Sequence, residues 1–364
     1  MKNLIVNANE AGQRLDRFLK KYLRAAPLSL IYRFIRKDVK VNGARAAIDY
    51  ILAERDEVTL YLDDARIEEL ARQGAVGAHG GFSRRPKIQF KVCFEDENVL
   101  IVSKPYGLLT HGDGREKKDT LVNQVVGYLL EKREYDPSAE RVFTPSPVNR
   151  LDRNTTGLVV FGKNSKAVRD FSRMIAAGDA VRKYYMALAV GEISEERILE
   201  GGILKDTERN KVSVVAAEED SSQQSQADPA PGAVKQARTI VRPIETFVIP
   251  QPGAGARRQD SPSTSRADAY TMCEVRLITG RPHQIRAHLA EAGHPVVGDP
   301  KYGDSAVNKR FAREFALPSQ FLHACRLEIA EGRGSLEYLT GTVIESPLPR
   351  KLASVVGALE NLRK

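Results

Sequence analysis

The residues best suited to acid–base or nucleophilic chemistry lie between 149 and 162, in the sequence NRLDRNTTGLVVFG. Asp152 stands here between two arginines, and a carboxylate in such a setting can serve as a base or a nucleophile. The apolar residues 158 to 161 predict a buried strand, and the polar residues before them predict a loop. Loops held by a rigid scaffold often present catalytic groups. The local residues alone nevertheless favour a plainer alternative, in which Asp152 only pairs with a neighbouring arginine.

The stretch LDRNTTGLVVF resembles the motif HRLDxxTSGLL of pseudouridine synthases of the large-subunit ribosomal RNA class. The shared positions are Arg150, Leu151, Asp152, Thr155, Gly157 and Leu158. The sequence departs from the motif at Asn149, where the family has His, and at Thr156, where it has Ser. Neither departure touches the carboxylate. The resemblance therefore implies that Asp152 is the catalytic residue, with Arg150 in support.

Three further segments resemble motifs of the same family, in the same order. Residues 103 to 111, SKPYGLLTH, are similar to its Lys-Pro segment, although Lys104 could also be a surface lysine. Residues 181 to 191, VRKYYMALAVG, imply that the functional tyrosine is Tyr185, while strand propensity alone explains Tyr184 and Tyr185 as half-buried strand residues. Residues 281 to 303, RPHQIRAHLAEAGHPVVGDPKYG, imply that Arg286 is the ion-pair partner of the catalytic Asp.

The same segments allow other kinds of site to be considered. His283 and His288 are five residues apart, about 140° around a helix, so they cannot share a face and no metal site is expected. A glycoside hydrolase would need a second carboxylate near Asp152, and Asp299 is the best remote candidate. A third hypothesis is that the protein is a non-catalytic RNA-binding or ribosome-assembly factor. The resemblance favours the isomerisation of uridine to pseudouridine in RNA, without cofactor or metal.

The elements that would position these residues form an α+β protein. The resemblance to the synthases spans residues 88 to 346 and implies a catalytic domain with a mixed, mainly antiparallel bent sheet. Helices are expected at 121 to 132, capped by Thr120, and from a cap at Ser165 to about residue 177. Ser-, Gln-, Gly- and Pro-rich stretches at about 216–236 and 250–268 predict two disordered insertions. A helix is expected within 347–364.

Net charge is concentrated at one end of the chain. Residues 1 to 45 hold 11 Lys or Arg against 3 Asp or Glu, which leaves almost none of the net charge of +9 for the remaining residues. Such a concentration indicates a module that binds a polyanion. Residues 1–65 are the expected module, and a flexible linker at 66–87 follows it.

Two basic helices and an Asn-Gly hairpin turn within residues 13 to 62 resemble the S-four-type RNA-binding domain. Basic helical faces are usually only solvated, but the resemblance favours RNA binding. The candidate contacts are Arg14, Arg17, Lys20, Lys21, Arg33, Arg36 and Lys37.

The rest of the composition indicates the cellular compartment of the protein. Three scattered cysteines suggest neither a disulfide framework nor a zinc site, which is typical of a reducing cytoplasm. No apolar run is long enough to span a membrane, and a monomer is expected.

The expected partner is large-subunit ribosomal RNA. Residues 202 to 214 and 235 to 239 resemble the subgroup called C, which modifies uridines near the peptidyl-transferase region, more than subgroup D, which acts on a subunit-interface stem-loop.

Overall fold

The computed structural model describes residues 1–72, 87–113, 116, 118–137, 139–206, 211–215, 234–249 and 269–362. Most of the expected linker, residues 73 to 86, lies outside these ranges. So do residues 216 to 233 and 250 to 268 of the expected insertions.

The N-terminal module, residues 1–72, is a small antiparallel sheet covered by helices. Its strands are β1 (Lys2–Ile5), β2 (Val39–Val41) and β3 (Glu57–Leu60), in the order β1-β3-β2, and its helices are α1 (Leu15–Tyr22), α2 (Leu28–Lys37) and α3 (Asp64–Arg72). The apolar faces of α1 and α2 bury Phe18, Leu19, Ile31 and Phe34 against the sheet. The expected turn at Asn42 and Gly43 is present, with φ of 51° and 77°.

A second, eleven-stranded sheet occupies the rest of the described chain. Its strands are β4 (Lys91–Glu95), β5 (Val99–Lys104), β6 (Ser146–Pro147), β7 (Thr156–Gly162), β8 (Val181–Val190), β9 (Arg197–Asp206), β10 (Lys211–Val215), β11 (Lys235–Val248), β12 (Ala269–Leu277), β13 (Leu322–Ile329) and β14 (Thr342–Glu345). The main order is β10-β9-β11-β12-β8-β13-β7-β5-β4, with β14 beside β13 and β6 beside β7. The described pair β7–β13 is parallel and the other pairs are antiparallel.

Helices cover both faces of this sheet. They are α4 (Leu121–Glu131), α5 (Ser165–Ala176), α6 (Gln284–Glu291), α7 (Ser305–Phe315) and α8 (Arg350–Asn361), and a 3-10 helix spans Gly334–Leu339. Helices α4 and α6 pack against one face through residues such as Val125 and Ile285. Helix α5 packs against the other through Phe171 and Met174. The central strand β7 is buried on both faces, which explains its uninterrupted apolar sequence.

Gly157 allows β7 and β13 to approach each other at the start of the parallel pair. Its φ is 108°, and a Cβ at this position would lie 2.2 Å from the carbonyl oxygen of Ala324. No other residue type fits both the backbone conformation and the space. The glycine of the central motif is therefore a structural requirement of the sheet.

Three local expectations need correction. Helix α3 occupies residues 64 to 72, including part of the expected linker, and Ile67 and Leu70 join the core of the N-terminal module. The cap of α5 is Asn164, whose side chain accepts a hydrogen bond from the amide of Ala167, and Ser165 is the first helical residue. Residues 235 and 236, expected in the first insertion, belong to β11.

Candidate active site

The loop that carries Asp152 is fastened on both sides of that residue. Asn149 uses its side-chain amide to pair with the backbone of β7, accepting from the amide of Val160 at 2.8 Å. Thr110 donates its hydroxyl to the carbonyl of Leu151 at 3.0 Å and accepts from the amide of the same residue. The carbonyl of Asp152 itself accepts from the amide of Thr155 at 3.1 Å, closing a turn before β7.

Lys104, at the end of β5, holds the other side of the same loop. Its ammonium donates to the carbonyl oxygens of Pro105, Leu108 and Arg153, at 3.1, 2.8 and 2.9 Å. The side chain is buried, with 1% exposure. Burial lowers the pKa of Lys104 to about 7, against the opposing attraction of Asp152. The lysine thus ties the residue after Asp152 to the loop that follows β5.

Arg286, on α6, meets Asp152 directly. Its Nη1 donates to Oδ2 of Asp152 at 2.7 Å, across 134 residues of sequence. The arginine side chain is 4% exposed and the Asp152 side chain 28% exposed. Oδ1 of Asp152 accepts no hydrogen bond from the described part of the chain. The carboxylate is therefore fixed through one oxygen and available to a substrate through the other.

Asp299 holds the opposite edge of the same guanidinium. Nε and Nη2 of Arg286 donate to its two oxygens at 2.6 and 2.7 Å. Asp299 is fully buried, and its Oδ1 also accepts from the amides of Lys301 and Tyr302 at 2.8 and 3.1 Å. A bidentate pair of this kind fixes the plane of the guanidinium. Burial lowers the pKa of Arg286, but Asp299 and then Asp152 more than offset this and raise it above its ordinary value.

A second polar chain reaches Asp152 from the side of Oδ1. Nε2 of His283 lies 3.9 Å from Oδ1, and Nδ1 lies 2.9 Å from the hydroxyl of Tyr302. That hydroxyl accepts from the amide of Val212 in β10 at 2.8 Å. His283 has the left-handed φ of 53° immediately before α6, a conformation that is uncommon in residues other than glycine. Burial lowers its pKa, partly opposed by Asp152, which favours a neutral imidazole.

Tyr185, in β8, lies within electrostatic reach of Asp152. Its side chain is buried, with 6% exposure. Burial, and then the nearby carboxylate of Asp152, raise the pKa of the phenol well above its usual range. Tyr185 is therefore an un-ionised phenol at neutral pH. Its neighbour Tyr184 instead donates to Glu328 at 3.1 Å and packs under the guanidinium of Arg326.

The structure thus brings Asp152, Arg286 and Tyr185 together. Arg150 is not part of this group. Arg150 is exposed and makes no hydrogen bond or ion pair with the described residues. Sequence reasoning missed the bracing role of Asp299, which it considered only as a second catalytic carboxylate. It also left Lys104 open to a surface role, although the Lys-Pro segment already marked that residue.

The seven basic residues expected to bind RNA have different surroundings. Arg14 forms a two-bond pair with Asp16, at 3.1 and 3.0 Å. Lys20 donates to the carbonyls of Arg24 and Ala26 and so caps the end of α1. Arg17, Lys21, Arg33, Arg36 and Lys37 are exposed.

The described residues show neither a metal site nor a membrane span. Within the described ranges, no group of three or more His, Cys, Asp or Glu residues is arranged to hold a metal ion. His283 and His288 have separate partners, since Nδ1 of His288 bonds to the hydroxyl of Thr239 at 3.0 Å. None of the described helices is both long and apolar enough to cross a membrane.

Known proteins resemble this chain in sequence. A family model described as RNA pseudouridylate synthase matches residues 98–291. The chain is 28% identical over 362 residues to "Ribosomal large subunit pseudouridine synthase D" of Nitrosomonas europaea, covering 99% of this chain and 88% of that one. It is also 28% identical over 367 residues to "Ribosomal large subunit pseudouridine synthase C" of Escherichia coli strain K12, covering 100% and 98%.

A solved structure agrees at the level of the fold. "Human RNA Pseudouridylate Synthase Domain Containing 4" aligns with a TM-score of 0.51 at 19% identity, covering 74% of this chain and 92% of that one. The expected α+β class with a mixed, mainly antiparallel sheet is confirmed.

Proposed function

Because this chain belongs to the RNA pseudouridylate synthase family, we propose that it converts specific uridines of large-subunit ribosomal RNA to pseudouridine, with Asp152 as the catalytic residue. The observation that carries the assignment of the site is the contact of 2.7 Å between Arg286 and Oδ2 of Asp152, which leaves Oδ1 open. The names of the relatives, which specify the large ribosomal subunit, support the choice of RNA.

The residues suit the balance of this isomerisation. The bond from C1′ of the ribose to N1 of uracil breaks, the base turns, and a bond from C1′ to C5 forms. C5 loses a proton and N1 gains one, so nothing is oxidised and no group leaves. One carboxylate in a closed pocket can suffice for such a reaction, acting as nucleophile or base through Oδ1 of Asp152. Arg286 orients that carboxylate and keeps it in place while the base turns.

Tyr185 is assigned to the uracil ring rather than to proton removal. Its raised pKa keeps the phenol protonated, so it is a poor base at neutral pH. A buried aromatic ring within electrostatic reach of the carboxylate can stack on a base that has been turned out of its helix or taken from a loop. Stacking would hold the detached uracil between cleavage of the C1′–N1 bond and formation of the C1′–C5 bond.

The N-terminal module supplies contacts to RNA phosphates in this proposal. Arg17, Arg33, Arg36 and Lys37 are exposed on α1 and α2, as such contacts require. The remaining candidates are Arg14, Lys20 and Lys21, and each of them makes at least one hydrogen bond within the module. Phosphate contacts position an RNA but carry little sequence information. A cytoplasmic location is part of the same proposal.

The subgroup is chosen on sequence. The relatives named C and D are equally similar to this chain, at 28%. The resemblance of residues 202 to 214 and 235 to 239 to subgroup C favours uridines near the peptidyl-transferase region. Part of that stretch is close to the site, since the amide of Val212 donates to Tyr302.

The alternatives have less support. A glycoside hydrolase needs a second carboxylate to act as acid or nucleophile, but both oxygens of Asp299 are taken up by Arg286 inside the protein. A non-catalytic RNA-binding factor would have no use for the carboxylate of Asp152 that Arg286 holds in place.

The substrate is tested by incubating the purified protein with unmodified large-subunit RNA and, separately, with unmodified transfer RNA, and mapping the products. Pseudouridine at several uridines near the peptidyl-transferase region is the expected result. Product only in the subunit-interface stem-loop contradicts the subgroup, and product only in transfer RNA contradicts the large-subunit assignment. Release of free uracil in place of pseudouridine indicates a hydrolase.

A further inference from the structure

The N-terminal module is docked against the catalytic domain. Glu10, fully buried, accepts from Nε and Nη2 of Arg141 at 2.9 and 2.6 Å. The side chain of Asn9 accepts from the amide of Ser165 at the start of α5, at 3.1 Å. Val142 is buried in the apolar core of the module. These contacts give the module a defined position on the catalytic domain, in place of the swinging tether that a flexible linker suggests.

Arg169, on α5 of the catalytic domain, reaches into this junction. Its guanidinium lies against Gly12, where a Cβ would be 3.1 Å from Nη2. Its Nη1 donates to the hydroxyl of Ser165 at 3.2 Å. The acid next to it, Asp170, is engaged by the amide and hydroxyl of Ser335. Arg169 therefore presents a cation at the seam with no carboxylate bonded to it among the described residues.

Two cations of the N-terminal module face the same place. Arg17 and Lys21 are one turn apart on α1 and therefore share a face. The ammonium of Lys21 donates to the side chain of Gln13 at 3.1 Å. Its pKa is lowered, first by the surrounding protein and then by the positive charges of Arg169 and Arg17. Gln13 follows Gly12, against which Arg169 lies, so Lys21 and Arg169 are close together. Lys21 is repelled by both arginines, which costs stability unless an anion binds there.

We propose that Arg17, Lys21 and Arg169 form one binding site for RNA backbone phosphates, shared between the N-terminal module and helix α5 of the catalytic domain. The inference rests on the proposed function for its choice of RNA as the polyanion. Two of the three residues were candidates from sequence, whereas Arg169 lies in a different part of the chain and completes the surface. The RNA-binding surface thus continues from the module onto the catalytic domain.

The position of this site separates its role from catalysis. Strand β7 runs from Thr156, next to the loop of Asp152, to Gly162, just before α5. Seven strand residues span about 20 Å, so the end of β7 that leads into α5 lies roughly that far along the sheet from the loop of Asp152. The phosphates bound at the shared site belong to nucleotides several positions from the target or to a neighbouring strand. Loss of a cation here should weaken RNA binding and leave the chemical step unchanged.

The test compares Arg169→Gln, Lys21→Gln and the double variant with the wild-type protein. Affinity for a large-subunit RNA fragment is measured at several salt concentrations, together with kcat for pseudouridine formation at saturating RNA. Arg313→Gln is the control, because Arg313 is a largely exposed arginine of α7 and its loss removes the same charge. Circular dichroism and thermal melts verify folding.

Each single substitution should raise Kd about 3- to 10-fold and flatten the slope of log K against log salt by about 0.7 to 0.9, the loss of one phosphate contact. The double variant should lose about twice as much slope, while kcat stays within about twofold. Wild-type slopes in both single variants, or a loss equal to that of Arg313→Gln, would overturn the inference. If the wild-type protein binds the RNA but forms no pseudouridine, the proposed function is contradicted instead. The Kd values and salt slopes of the variants can still be compared with those of the wild type.

Discussion

Asp299 fixes Arg286 from behind, through two hydrogen bonds of 2.6 and 2.7 Å, so that the remaining Nη1 points at Asp152. The buried carboxylate of Asp299 holds Arg286, and Arg286 in turn holds the carboxylate of Asp152, which is assigned to catalysis. The arrangement explains how a partly exposed Asp152 keeps a fixed orientation. The orientation of Asp152 therefore depends on Asp299, whose two oxygens are both bonded to Arg286.

Replacing Asp299 should therefore damage turnover more than binding. Asp299→Asn keeps the shape but converts one acceptor oxygen into a donor, which faces an Arg286 N–H and releases that edge of the guanidinium. We expect kcat to fall by about 10²-fold, the cost of a misplacement of about 1 Å, with KM changed much less. Steady-state kinetics on an RNA fragment measure both values.

The control for Asp299→Asn is Asp179→Asn, since the side chain of Asp179 is 93% exposed. It should match the wild type. A purely structural role for Asp299 predicts a lower melting temperature with wild-type kcat in the protein that remains folded, and that outcome would refute the positioning role.

Lys104, which anchors the Asp152 loop, should cause kcat to fall on the alkaline side of its pH profile. Burial lowers the pKa of Lys104 to about 7, so its ammonium loses a proton in the folded protein as pH rises above that value. A neutral amine has two N–H donors for the three carbonyls, and one carbonyl near Asp152 is left unpaired. We expect kcat to fall as pH rises from 7 to 9.

Lys104→Arg separates this cause from other titrations, because a guanidinium stays protonated throughout that range. Its kcat at pH 9, relative to its own value at pH 7, should exceed the same ratio for the wild type. An identical alkaline limb in both proteins would show that Lys104 is not the titrating group.

Docking of the N-terminal module can be tested through stability. Arg141→Gln leaves Glu10 buried without its charged partner, and breaking such a pair costs about 3 kcal/mol, at the lower end of the usual range because Arg141 reaches solvent. The melting temperature should fall by several degrees. Arg333→Gln, which removes an exposed arginine paired with Glu331, is the control and should change little. Equal melting temperatures for the two variants would contradict the docked arrangement.

Much of the fold was predictable where a short pattern decides the structure. The helical spacing in α1 and α2, the apolar run of β7 and the Thr120 cap of α4 are all present in the structure. Strand β9 was not predicted, because Gly201 and Gly202 lower strand propensity. They are tolerated because side chains such as Val214 pack directly over them.

The central residues of the site were predictable, but most of the contacts that hold them in place were not. Motif resemblance identified Asp152, Tyr185 and Arg286, and the structure places them together. The carbonyl contacts of Lys104 join loops 49 residues apart, and the pair of Glu10 with Arg141 spans 131 residues. No local spacing encodes such contacts, since they depend on how the two domains and their loops pack.

The catalytic assignment of Asp152 is tested most directly by Asp152→Asn. The amide has nearly the same shape but supplies neither the nucleophile nor the base, so formation of pseudouridine in large-subunit RNA should fall to background. The melting temperature should stay within a few degrees of the wild type, and Arg286→Leu should also be inactive. Background-level product with an intact fold is the predicted result. Retained turnover by folded Asp152→Asn would contradict the account.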